Sequence, residues 1–106
     1  MRLKAPKHKR IRPKWSDKAT PAEKAHMDRV AEKGCLVCQR PASIHHDKIR
    51  GKRDHMNVVP LCRFHHQDQK HGWHGLGSNK AFENRYGIDV RQEAADFRLE
   101  TEMGAI

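Results

Sequence analysis

Residues 57–66 read NVVPLCRFHH, a short apolar run that leads into Cys62 and the adjacent pair His65 and His66. Eleven residues before Asn57 ends a second histidine pair, His45 and His46. Pro60 interrupts VVPL, so this run is either a short edge strand or the approach to a helix. A helix is expected from about Leu61 to about His71. Neighbours on a helix point about 100° apart, which sends His65 and His66 in different directions. SIHHDKI, around the first pair, reads as extended, and neighbours there point to opposite faces. Within each pair, then, the two imidazoles are expected to do different work.

The cysteines give His65 a task. Cys35-x2-Cys38 is followed, after 23 residues, by Cys62-x2-His65. Two closely spaced ligand pairs on turns or helix starts bring four donors to a tetrahedral zinc with little loop strain. Four protein ligands leave no open position, so the expected role is structural. The alternative is three buried thiols that share no metal. Three cysteines also argue against a closed disulfide framework, and no signal-peptide pattern is apparent, so a cytoplasmic, reducing setting is expected. A structural metal suits the composition. Only 36% of the 106 residues are hydrophobic and 33% are charged, a small supply of apolar material for one small domain.

The net charge of +9 is unevenly spread. Residues 1–20 hold eight Lys/Arg against one acid, residues 35–74 hold seven against three, and residues 75–106 hold four against six. A nucleic acid is the partner this field suits, ahead of a membrane, because no basic amphipathic helix accompanies it and no run is long enough to span a bilayer. A merely solubilising surface is the plainer alternative. Residues 1–18 read as a basic, extended arm in which Lys4, Lys7, Lys9, Arg10, Arg12 and Lys14 would contact DNA phosphates. Trp15 is expected to pack back onto the domain rather than stack on a base. Arg50, Lys52 and Arg53, between the two halves of the site, are placed to hold phosphates as well.

The flanking segments read as scaffold. Thr20, Pro21 and Glu23 form a capping box with Pro at the first helical position, and Gly34 ends that helix just before Cys35. GWHGLG is too rich in glycine to continue the helix that carries His65 and His66. Ser78 caps a helix bearing Phe82 and Tyr86 and stopped by Gly87, and Asp89 opens a last helix whose Val90, Ala94 and Phe97 face the core.

The combination IHH, then Asn57, then LCRFHH, with the cysteine knuckles, resembles the HNH endonuclease family. Within it the chain is most similar to the small phage-type recombination-enhancement nucleases, in which a glycine-rich turn and a helix like HGLGSNKAFENRYG follow the metal-binding helix. The resemblance covers about residues 34–88. It implies a small α+β fold: a zinc-stabilised ββα-metal core with flanking helices in residues 19–106, preceded by the basic arm. It further implies His45 and His66 as ligands of a catalytic metal, His46 as general base, and Asn57 as the residue that orients the base and its loop. Cys35, Cys38, Cys62 and His65 match the structural zinc set, with His65 where many relatives have a fourth cysteine. Some relatives carry another ligand four residues after the last His. Here that position is Lys70, and His71 is one residue too far along an intact helix. His71 therefore stands as a candidate ligand or phosphate contact, ahead of His74.

Those roles suit phosphodiester hydrolysis. A cation held by two imidazoles keeps positions open for water and phosphate, and an imidazole with an ordinary pKa near 6.5 accepts a proton near neutrality. The resemblance points to Mg²⁺ or Mn²⁺ as the working ion, while imidazole donors also admit Ni²⁺ or Zn²⁺. The function implied is a DNA endonuclease of low sequence specificity, leaving 5′-phosphate and 3′-hydroxyl ends. It would act in phage recombination or DNA processing in a bacterial host, alongside a recombinase or another phage protein. The rival is a non-catalytic, zinc-stabilised DNA-binding module, under which a candidate base and Asn57 would have no purpose.

Overall fold

The computed structural model describes residues 19–104; the basic arm, with its six candidate DNA contacts and Trp15, lies outside them. The chain builds α1 (Pro21–Glu32), β1 (Ser43–His46), β2 (Val58–Leu61), α2 (Arg63–Gln67), α3 (Trp73–Leu76), α4 (Asn79–Tyr86) and α5 (Val90–Glu102). It is a small mixed α+β domain: a two-stranded sheet with helices around it. No helix among the described residues is long and apolar enough to cross a membrane.

α1 begins as the capping box requires. The Thr20 side chain accepts from the Glu23 amide, and the Glu23 carboxylate accepts from the Thr20 amide. Its buried face, Met27, Val30 and Ala31, meets Ile44 of β1 and Val58, Val59 and Leu61 of β2 in the core. Phe82 of α4 and Val90, Ala94 and Phe97 of α5 close the same core. Burying each of the larger side chains contributes about 1.5–3 kcal/mol.

β1 and β2 pair antiparallel with Ser43 opposite Leu61, Ile44 opposite Pro60, His45 opposite Val59 and His46 opposite Val58. All four residues of β2 are buried. Pro60 is tolerated in a two-stranded ribbon, and its carbonyl accepts from the Leu36 amide (3.0 Å), which ties β2 to the first cysteine turn. The connection between the strands narrows to a tight turn at Ile49–Lys52, with Arg50 at φ 54° and Gly51 at φ 74°. Both central residues have positive φ, as the type I′ hairpin turn requires.

The expected helix over residues 61–71 is shorter. α2 has five residues and stops at Asp68, whose backbone is extended (φ −61°, ψ 138°). The Asp68 carboxylate accepts from the amides of Lys70 and His71, both at 3.0 Å. A side chain that satisfies the amides ahead of it offers the backbone an alternative to the helix. GWHGLG then forms α3 where no helix was expected. Gly72 and Gly75 permit this fold-back: a Cβ at either would overlap backbone atoms of the α2 terminus and the Asp68–Gln69 turn. Here the glycines allow close packing rather than ending structure.

Candidate metal centres and the adjoining cleft

Two groups of metal-binding side chains form among the described residues, and α2 contributes to both. In the first, Cys35, Cys38, Cys62 and His65 converge. Cys38 and Cys62 sulfurs lie 3.6 Å apart, and His65 Nδ1 lies 3.2 Å from Cys62 Sγ and 3.7 Å from Cys35 Sγ. Donors bound tetrahedrally to zinc at about 2.0–2.3 Å stand about 3.3–3.8 Å apart, close to the observed 3.2–3.7 Å, so the set suits that ion. The sulfurs are too far apart for a disulfide, and all three cysteines are free. Local structure puts them there. Cys62 is the N-cap of α2, with its sulfur accepting from the His65 amide at 3.4 Å, and Cys35 Sγ accepts from the Val37 amide at the same distance. This is a Cys3His cluster of the structural zinc type.

The second group is His45, His66 and His74, whose donor atoms lie within 4.8 Å of one another. His45 Nδ1 is 3.2 Å from His66 Nε2, which is 3.0 Å from His74 Nε2. Two nitrogens sharing an ion at about 2.1 Å stand about 3.0–3.4 Å apart when their bonds make angles near 90–110°. Neighbouring groups fix one lone pair. The Ser43 hydroxyl donates to the Leu61 carbonyl (3.2 Å), so it accepts from His66 Nδ1 (3.4 Å), which leaves His66 Nε2 unprotonated toward its partners. Burial is the main force lowering the pKa of His45 to about 3, with the neighbouring His66 and His74 adding to it. Burial, and then His74, lowers His66 to about 4. At neutral pH both rings keep lone pairs for a cation. His45 is buried, His66 half-buried and His74 exposed, so the group opens to solvent on one side.

His46, the last residue of β1, is half-exposed, and its Nε2 lies 3.0 Å from His55 Nδ1. Asn57 is buried, and its Nδ2 donates to the Asp47 carbonyl while the Asp47 amide donates back to the Asn57 carbonyl at 3.0 Å. Asn57 thereby ties together the two ends of the loop that carries Arg50, Lys52 and Arg53, all exposed. A cleft of about 520 Å³ runs beside β1, lined by His45, His46, Lys48, Trp73, His74 and Arg91 among others.

His71 does not join the second group. Its Nδ1 pairs with the Asp68 carboxylate at 2.8 Å and its ring stacks on Phe64, with centroids 5.0 Å apart. Ending α2 at Asp68 turns His71 aside, and α3 brings His74 to His66 instead. Sequence reasoning also passed over His55, Asp47, Asn79 and Arg91. Asp47 directly follows the histidine pair, which could have drawn notice; Arg91 lies 44 residues further on, and nothing local marks it. The chain matched no family profile, no curated protein and no solved structure.

Proposed function

We propose that the chain is a metal-dependent DNA endonuclease of the HNH type, hydrolysing phosphodiester bonds with little sequence preference. The observation that carries this reading is the second histidine group. The Cys3His cluster already supplies a structural clamp, yet three further imidazoles converge at the edge of an open cleft. A candidate proton acceptor, His46, lines the same cleft.

In this reading His45, His66 and His74 hold a divalent cation. When bound, it neutralises charge on the phosphoryl oxygens and the departing 3′ oxygen. Three imidazoles rank Mn²⁺, Ni²⁺ and Zn²⁺ ahead of Mg²⁺, which prefers oxygen donors. His46 takes the proton of the attacking water. Its Nε2 lies 3.0 Å from His55 Nδ1, so His55 helps hold the ring in place as a positioning residue. Asn57 fixes the ends of the loop that presents Arg50, Lys52 and Arg53 to flanking phosphates. The basic residues of the arm, from Lys4 to Lys14, add affinity that does not depend on sequence. A recombinase or another phage DNA-processing protein in a bacterial cytoplasm would direct the enzyme to its substrate.

The test uses protein that retains zinc at the cysteines but is stripped at the histidines. It is incubated with labelled single-stranded, duplex and branched DNA in Mg²⁺, Mn²⁺ or Ni²⁺. Metal-dependent cleavage leaving 5′-phosphate ends supports the proposal. DNA binding with no cleavage under any ion replaces it with a zinc-stabilised DNA-binding module.

A further inference from the structure

The carboxylate of Asp47 is buried, with only 4% of its side chain exposed, and it belongs to neither metal group. Its oxygens are divided between two partners. Asn79 Nδ2 donates to Oδ1 at 2.9 Å, and Arg91 Nε donates to Oδ2 at 3.0 Å. Asn79 is itself set by Trp73, whose indole N–H donates to its Oδ1 at 2.7 Å. A chain of directed hydrogen bonds thus runs from α3, through the start of α4 and the end of β1, to the first turn of α5.

That chain ends on a side chain that is 60% exposed and lines the cleft. Stability alone accounts poorly for this arrangement. Burying a carboxylate is costly, an ion pair with so exposed a partner contributes little, and a cation in the first turn of a helix opposes the helix dipole. What the contact does accomplish is orientation. Held through Nε, the guanidinium keeps both terminal nitrogens for a ligand, in the planar fork that matches two oxygens of a phosphate.

We propose that Arg91, positioned by the buried Asp47, binds a phosphate of the nucleic-acid backbone in the cleft. This inference rests on the reading of that cleft as a phosphodiester site, and it adds a residue from α5, outside the segment that resembles the HNH family. Lys48, which also lines the cleft, supplies a second cation without a planar fork.

The test measures binding, so it does not depend on cleavage. Wild type, Arg91→Ala and Arg91→Lys are titrated with a short fluorescent single-stranded oligonucleotide at several salt concentrations without added divalent ion, and each variant is melted. Losing one charge-assisted contact to phosphate should weaken binding about 10- to 100-fold. It should also make the slope of log affinity against log salt shallower by about 0.7. Arg91→Lys should recover the salt slope but not the full affinity, because it keeps the charge and loses the fork. If Arg91→Ala does not fold, Arg91→Lys decides the matter through inorganic phosphate, whose binding followed by NMR must be weaker than in wild type. Variants that bind with wild-type affinity and slope overturn the assignment and leave the nuclease reading standing. A wild-type protein that binds but never cleaves, with binding lost in Arg91→Ala, overturns the nuclease and leaves the phosphate site standing. A wild-type protein that binds neither oligonucleotide nor phosphate sinks both.

Discussion

Cys62→Ser is the most direct probe of what holds the domain together. Cys62 is both a donor of the Cys3His cluster and the N-cap of α2. Serine is among the best N-caps, so the substitution preserves the cap and removes only a thiolate. The 86 described residues, 19–104, would have a net stability of about 4–13 kcal/mol at about 0.05–0.15 kcal/mol per residue. A structural zinc site contributes about 10–16 kcal/mol of apparent binding free energy, all of it coupled to folding. Losing even half of that, about 5–8 kcal/mol, is comparable with the whole net stability. The expected result is substoichiometric zinc and loss of a cooperative melt at physiological temperature. Atomic emission spectroscopy on the purified protein and a melt followed by far-ultraviolet circular dichroism supply both readouts. One kcal/mol corresponds to about 4–8 °C in a domain of this size. A variant with one full zinc equivalent and a midpoint within about 8 °C of wild type would refute the reasoning.

Other variants separate the remaining roles. His46→Ala should lower single-turnover cleavage by about 10²–10⁴-fold without rescue by Mn²⁺. His45→Ala, His66→Ala and His74→Ala should each recover partly at high Mn²⁺, and the opposite pattern would exchange base and ligand. Gly75→Ala should destabilise by about 1–3 kcal/mol, because the new methyl meets the carbonyls of Asp68 and Gln69; helix propensity alone predicts a gain of about 1 kcal/mol, so a raised melting midpoint would contradict the close packing. Burial, then the nearby Arg29, holds the pKa of His26 below 6.5, and its Nδ1 lies 2.6 Å from Thr101 Oγ1. The folded state therefore resists a proton that the unfolded chain accepts, so this stability is complete above pH 6.5 and is lost as pH falls below it. Melting midpoints of wild type and His26→Gln should converge on acidification, and parallel profiles would show that His26 does not titrate differently on folding. A chain starting at Ser16 lacks seven Lys/Arg and should bind DNA with a shallower salt slope; an unchanged slope would mean that the arm makes no phosphate contacts.

What could be read from the sequence was what depends on a few adjacent residues. The capping box at Thr20, the caps at Ser78 and Asp89 and the two ligand knuckles each lie within one turn of chain, and each forms in the structure. The inward stripe of α5 was legible for the same reason. The failures involve choices between local and distant partners. Asp68 could have continued α2 or capped the amides beyond it, and nothing in its neighbours' identity decides between them. Gly72 and Gly75 look like breakers until the α2 terminus is laid against them, and only then does His74, eight residues after His66, become its neighbour. Arg91 depends on a carboxylate 44 residues away, where no periodicity reaches.

The five-residue α2 gives one ligand to each metal group, His65 to the first and His66 to the second. A segment so short has no helical stability of its own; the Cys62 cap at its start holds it, and an ion bound through His65 would hold it further. The direction of His66 is thus inherited from its neighbour. An ion in the cysteine cluster would thus steady the histidine group through two adjacent residues of one short helix. Loss of an ion at the cysteines would then loosen the second group as well, although none of its own three imidazoles had changed.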